Sequence, residues 1–385
     1  WAHYQASRHR VAPSPGGNIE FVDIEGTRQV NPDALKRELS PLIGKPFDDA
    51  RTSDALARLY GSGDFDRIGY RVVDLHNQRG IEFNVSENSI GPTYLRMGLN
   101  FSSDLQGDSS FGLIAGYKRH WLNAWGAELT ADAELGATRR FGAEVYQPLA
   151  VASPWFVSAY GQVSREPRYL YDGDRQVAEY SLLREPVGAD FGYAASRYGE
   201  IRVGFRHTHY RADPQVGSEE FVSGTLDEDG VSLLARYDRL DDPFFPRAGT
   251  RATVEVFNGT QRFQGAPSSN VTRARFDFLQ AFPLTESAQL HVAGRFAWLS
   301  ANDVGIADDY QLGGFLNLSG LRLNQLSGDH LGFARAVYTQ KLGTLSLVGR
   351  AIYAGGSLEA GNIWDKRSDI AWNNLRTAGS LFVGL

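Results

Sequence analysis

No cysteine occurs in the 385 residues, which removes disulfides, thiolate zinc sites and cysteine nucleophiles together. No apolar run reaches 18 residues, so no transmembrane helix is available. Charge is not one-sided either: 39 Lys plus Arg against 45 Asp plus Glu leave −6, which argues against a nucleic-acid partner. The one methionine is not residue 1 and no secretory signal opens the chain, so the sequence reads as a mature fragment or a domain of something longer. Catalytic signatures are equally scarce. A serine-hydrolase elbow, G-x-S-x-G, is missing, and so is an Asp-Gly-Gly or Asp-Gly-Ala partner for it. Ser62, between Gly61 and Gly63, reads as part of a helix stop. No phosphate-cradling glycine loop is present, so ATP chemistry is not expected.

Glycine and aromatic residues are abundant instead, with 42 Gly, 22 Phe, 17 Tyr and 7 Trp. That is the profile of strands whose apolar face hides inside a polar average. Residues 1–17 are basic and close on Pro13-Ser14-Pro15-Gly16-Gly17, reading as a linker from something upstream. Residues 18–90 differ. Ile19, Phe21, Val22 and Ile24 predict a strand that Gly26 stops. Leu35 and Leu39 lie four apart after Asn31-Pro32, and Ala55, Leu56, Leu59 and Tyr60 take helical spacing before Gly61. Two strands follow, 69–75 and 81–85. The order β-α-α-β-β makes one small α+β domain.

From residue 92 the helical period gives way to alternation that continues to the end of the chain. Ile201, Val203 and Phe205 oppose Arg202, Arg206 and Thr208; Phe276, Phe278 and Phe282 oppose Arg273, Arg275 and Asp277. Segments of about 10 residues with one aromatic and one charged face, repeated without a helix, are the signature of an all-β antiparallel transmembrane barrel; soluble strands are shorter. About 15 strands are predicted, among them 177–194, 229–238, 250–257, 344–354, 356–363 and 377–385. Long polar loops are predicted at 212–228, 258–270 and 301–331. Bacterial single-chain barrels have even counts, so about 16 strands are expected, with the last one beyond Leu385. His207 and His209, two apart on one strand face, have metal-ligand spacing but are read as markers of the membrane–water boundary. Asp227-Glu228-Asp229-Gly230 lacks a calcium loop's spacing and is read as a solvated outer loop. The inward arginines Arg202, Arg206, Arg236, Arg273, Arg275, Arg295, Arg335 and Arg350, mixed with Glu144 and Asp277, either line an aqueous path or hydrogen-bond a loop folded inside.

Residues 18–88 resemble a polypeptide-transport-associated (POTRA) domain through Ile19–Gly26, Val30 and Leu35, Ala55–Tyr60 with Gly63-Asp64-Phe65, and Ile81–Glu87. The barrel resembles the outer-membrane assembly and secretion superfamily of BamA-type and TamA-type insertases and two-partner-secretion transporters. One stretch that carries the likeness is Asp241-Asp242-Pro243-Phe244-Phe245-Pro246-Arg247-Ala248-Gly249, which also reads simply as a tight inner turn. The others are Gly313-Gly314 through Leu318-Ser319-Gly320-Leu321-Arg322, and Glu359-Ala360-Gly361-Asn362-Ile363-Trp364 followed by Leu375-Arg376. The resemblance implies that loop 301–331 turns back into the lumen, where an Arg of a Val-Arg-Gly-aromatic motif meets a carboxylate of the wall. Here Ser319 stands at the Arg place and Glu359 at the carboxylate place; Arg322, three residues on, is the cation left to supply the charge.

Within the superfamily, insertases carry several POTRA domains and two-partner transporters carry two. One such domain behind a Pro/Gly linker resembles the C-terminal half of patatin-like type Vd autotransporters. The resemblance therefore implies a translocator in a Gram-negative outer membrane, POTRA domain in the periplasm, that secretes or presents a fused N-terminal patatin-like lipase passenger. A stand-alone transporter or insertase is the alternative. The implied partners are outer-membrane lipid, the passenger or an unfolded client, the barrel-assembly machinery and a second copy joined by strand exchange. No catalytic residue, cofactor or metal is implied for this chain.

Overall fold

The computed structural model describes residues 17–61, 63–76, 78–88, 93–103, 109–196, 198–217, 222–242, 245–301, 310–345 and 350–384. By its packing the chain divides into two units. One is Trp1–Thr93 with Arg119–Ala127 and Ala150–Ala152; the other is Tyr94–Lys118, Glu128–Leu149 and Ser153–Leu385.

In the first unit, strand β1 (Phe21–Glu25) precedes helices Pro32–Leu39 and Asp49–Tyr60, and strands β2 (Phe65–Leu75) and β3 (Gln78–Glu87) follow. β3 is the central strand, parallel to β1 and antiparallel to β2. Each helix starts where the sequence supplies a cap. Asn31 Oδ1 accepts from the Asp33 N–H and Asp48 Oδ1 from the Ala50 N–H, both at 2.9 Å. The helices bury Leu35, Leu39, Ala55, Leu56 and Leu59 against Ile24, Ile68, Ile81 and Phe83 of the sheet and Ile19 just before it. Glu87 ties the loop after β1 to β3 by accepting the N–H groups of Arg28, Gln29 and Val30. The linker predicted for residues 1–17 lies outside the described residues, Gly17 excepted.

Among the described residues, the second unit is one antiparallel sheet of 14 strands in which successive strands of the sheet pair in chain order. It starts with β4 (Thr93–Ser103), β5 (Ser109–Arg119), β6 (Glu128–Gly136), β7 (Arg139–Pro148) and β8 (Trp155–Asp172). β9 (Arg175–Ser196), β10 (Gly199–Val216), β11 (Gly224–Asp238), β12 (Gly249–Phe263), β13 (Ser269–Pro283) and β14 (Ala288–Ala301) continue it. A short pair, β15 (Tyr310–Leu312) and β16 (Leu326–Gly328), stands apart before β17 (His330–Leu345), β18 (Arg350–Trp364) and β19 (Arg376–Gly384) complete the sheet. β4 and β19 are the ends of the strand order.

The count corrects the sequence reading. Segments 344–354 and 356–363 do not form two strands: the first part of 344–354 ends β17, and β18 runs through Gly355-Gly356 without a break. Glycine at 355 is a packing need, since a Cβ there would meet the Phe382 ring at 2.5 Å. The 14 strands among the described residues already make an even count. The loops predicted at 212–228 and 258–270 are largely strand as well. β8, β9 and β10 run 18, 22 and 18 residues, where about 10 cross a bilayer. Beyond the bilayer no outer apolar face is needed, so Arg175, Glu179, Arg211 and Asp213 conceal the alternation. Their inner face carries a small core of Tyr180, Leu182, Tyr210 and Leu226.

The two faces of the sheet are the reverse of a water-soluble fold. In β10, Ile201, Val203 and Phe205 are 53%, 47% and 56% exposed, whereas Arg202 is 8% exposed. An apolar outer row beside a buried charged row fits lipid outside and polar contacts within. On the same outer row, His207 and His209 follow Phe205, and each holds a carboxylate of β11: His207 Nδ1 to Asp229 at 2.8 Å and His209 Nδ1 to Asp227 at 2.6 Å. Asp227 to Gly230 therefore belong to the ladder, not to a solvated loop.

Candidate functional site

Between β14 and β17 the chain leaves the sheet, and its described part, residues 310–329, lies on the charged face. The β15–β16 pair closes around a compact turn: Gly313 N–H donates to the Asn317 carbonyl at 2.8 Å, and Gly314 N–H to the Leu321 carbonyl at 3.1 Å. Gly313 has φ +131°, and a Cβ there would lie 2.1 Å from the Arg322 carbonyl oxygen. Only glycine fits. Leu316 and Leu318 also take left-handed backbone, φ +56° and +70°, at about 1–2 kcal/mol each for a residue with a Cβ.

Such strain persists where the surroundings over-determine it, and here they do. The Leu318 and Ser319 N–H groups donate to Glu359 Oε2 at 2.7 and 2.8 Å. The Ser319 and Ser357 hydroxyls donate to Glu359 Oε1 at 2.7 and 2.5 Å. Glu359, on β18, is 3% exposed, so these four donors replace the water that its carboxylate has lost. Arg335, directly opposite Glu359 in the β17–β18 register, donates to the Leu316 carbonyl. Leu318 and Leu312 are buried with Ala297, Leu331 and Phe333, and Ile363 and Ala378 pack alongside. The β8–β9 hairpin holds the other side: the Tyr171 hydroxyl donates to the Leu323 carbonyl at 3.3 Å, and Gln325 Nε2 to Asp174 at 2.8 Å.

The turn before β12 is also built from its own sequence. Asp241 Oδ1 accepts from the Arg247 and Ala248 N–H groups at 2.8 and 3.1 Å. Burial pushes the Asp241 carboxyl up, but its backbone donors, Ala248 and Arg247 first, outweigh that and leave it below the ordinary value. The Arg247 guanidinium donates to the Glu286 carbonyl at 2.8 Å, and Phe245 stacks on Tyr353 with centroids 5.1 Å apart. Pro243 and Phe244 lie outside the described residues.

The Omp85 superfamily domain matches residues 124–379, well over half of the chain. The chain belongs to the Omp85 superfamily. Its fold is similar to BamA from Haemophilus ducreyi lacking POTRA domains 1–3, at TM-score 0.65 and 14% identity, covering 96% of this chain and 78% of that one. CdiB from Acinetobacter baumannii matches at TM-score 0.56 and 10% identity, covering 95% of this chain and 67% of that one. CdiB from Escherichia coli matches at 0.54 and 13%, covering 96% and 70%. Membership makes the chain an outer-membrane β-barrel of the protein translocation and insertion class.

In this Omp85 barrel, Ser319 and not Arg322 meets Glu359. Arg322 is exposed, and its backbone N–H donates to Gln325 Oε1 at 2.9 Å. A carboxylate already satisfied by four donors leaves no call for a cation from the loop. Gly320 and Leu321 complete the turn, with Leu321 packed toward the buried cluster. The predicted lumen arginines are mostly spent on carboxylates of the same sheet face. Arg202 meets Glu144 of β7 and donates to Glu200 at 2.9 Å; Arg206 meets Glu255 at 2.5 Å; Arg273 meets Glu228 at 2.5 Å. Arg236 comes within 3.6 Å of Glu200, and Arg275 holds Asp277 at 2.6 Å. Arg335 alone of the set donates to the loop among the described residues. The Arg350 side chain lies outside the described residues. Ser357 and the hairpin residues Tyr171 and Asp174 were not singled out in the sequence. Ser357 had a signal, lying two residues from Glu359 and so on the same strand face.

Proposed function

We propose that this Omp85 chain is an outer-membrane translocator whose small domain is a POTRA domain in the periplasm and whose lumen is plugged by residues 310–328 docked on Glu359. The tether carries this reading: three donors of the loop converge on one buried carboxylate and fix a strained turn on the inward face. A hydrogen-bonded tether of this kind is reversible, as a path for polypeptides requires, and it does no chemistry. The POTRA assignment is supported by the β-α-α-β-β order. It is also supported by the likeness to a BamA with some POTRA domains removed, which reaches over 96% of this chain.

The client in this reading is a fused N-terminal patatin-like lipase passenger, secreted or kept at the surface. One POTRA-type unit behind the segment Ala12-Pro13-Ser14-Pro15-Gly16-Gly17 supports it. Outer-membrane lipid and the barrel-assembly machinery are its other partners. The test is the reading frame upstream of Trp1. A patatin-type G-x-S-x-G elbow there is the expected result. Another POTRA-type unit there would overturn the passenger and leave a stand-alone transporter or insertase, which the fold likeness to BamA and CdiB favours.

A further inference from the structure

The inward face of β12, β13, β14 and β17 carries a cavity of about 140 Å³, lined by Arg251, Thr253, Asp277, Arg295, Phe333 and Arg335 among others. This volume is close to that of an apolar cavity that admits a benzene-sized guest. Its lining holds more cations than anions, Glu359 lying outside the lining though opposite Arg335 in the register. Asp277 is the one carboxylate among the lining residues, and Arg275 already holds it by two nitrogens at 2.6 and 3.1 Å. Arg295 reaches Asp277 only at 3.6 Å and otherwise lies 5.9 Å from the Phe333 ring centroid. Arg335 spends one nitrogen on the Leu316 carbonyl. Arg251 makes no hydrogen bond or ion pair among the described residues.

Elsewhere on this face Arg202, Arg206 and Arg273 each have a carboxylate of their own. Here three guanidinium groups share one space with donors unspent. Like charges that close repel, and a guanidinium fork matches the oxygens of a carboxylate or phosphate. We infer that this cavity is a binding site for a small oxyanion, held by Arg251, Arg295 and Arg335. Arg335 also holds Leu316, so the anion and the docked loop share a residue, and a bound anion steadies the group that retains the loop. The site is independent of which polypeptide the barrel handles.

Calorimetric titration of the full chain in detergent micelles tests it, with inorganic phosphate in one arm and succinate in the other, at ionic strength held constant with sodium chloride. Saturable binding is expected, weakened about tenfold or more in Arg295→Gln and tightened in Asp277→Asn, which removes the competing charge. The stronger arm identifies phosphate or carboxylate as the natural chemistry. Arg251→Gln alters an exposed side chain and repeats the test should Arg295→Gln fail to fold. No saturable binding in either arm, or binding unchanged in both arginine variants, overturns the site.

Discussion

Ser319 holds Glu359 twice, donating its backbone N–H to Oε2 at 2.8 Å and its hydroxyl to Oε1 at 2.7 Å. A neutral residue thereby satisfies a buried charge. Hydrogen bonds from neutral donors offset the desolvation of this carboxylate, which lets the loop dock without a cation of its own at this position. The backbone share of the grip comes from Leu318 and Ser319 together, with Leu318 in the left-handed region.

Removing the charge should loosen the loop. Glu359→Gln turns one acceptor oxygen into a donor facing N–H groups, and each charge-assisted bond lost is worth about 1.5–3 kcal/mol. Loop docking should weaken by about 2–4 kcal/mol, and by about 1–2 kcal/mol in Ser319→Ala. Hydrogen exchange at the amides of residues 313–325 reads this directly, with amides of β10 to β13 unchanged.

Arg322→Ala should leave exchange in that loop within about 0.5 kcal/mol of the parent, as for a surface substitution. Exchanging the charges, Arg322→Glu with Glu359→Arg, should fail to restore docking. Restoration would mean that Arg322 and Glu359 pair in solution.

Much of the barrel was legible because lipid imposes a pattern: Ile201, Val203 and Phe205 outside, Arg202 and Arg206 inside. The pattern fades where lipid ends, so the outer reaches of β10 to β13 read as loops. Gly355-Gly356 read as a break because sequence does not reveal that the Phe382 ring fills the space above Gly355 and that Leu381 lies against Gly356. Gly313, Ser319 and Glu359 were legible as a constellation. Ser319's donation was not, because its partner lies 40 residues away and the orienting φ of Leu318 leaves no mark in the sequence.

Gly313→Ala should expel the turn from its seat, since the added carbon would sit 2.1 Å from a carbonyl oxygen at φ +131°. In planar bilayers the parent should conduct weakly, and Gly313→Ala and a deletion of 313–325 should both conduct more. Equal conductance in all three would place the loop outside the lumen.

The small domain should weaken in acid. The Arg51 guanidinium, then the Arg51 and Ala50 N–H groups, hold the Asp48 carboxyl below its ordinary 3.8; the Lys36 ammonium does the same for Asp23. A depressed carboxyl contributes stability that is present above the unfolded value and lost as pH falls through the folded one. Exchange protection across helix Asp49–Tyr60 should therefore fall from about pH 5 downward, and Asp48→Ala should flatten that dependence.

The most direct test of the tether uses the absence of cysteine, which makes a single introduced thiol a clean reporter. Leu318 is 1% exposed. In Leu318→Cys, labelling by a bulky maleimide should be slow and limited by loop opening, and adding Glu359→Gln should speed it about tenfold or more. Fast labelling in Leu318→Cys alone, or equal rates with and without Glu359→Gln, would contradict a loop held on the barrel wall by Glu359.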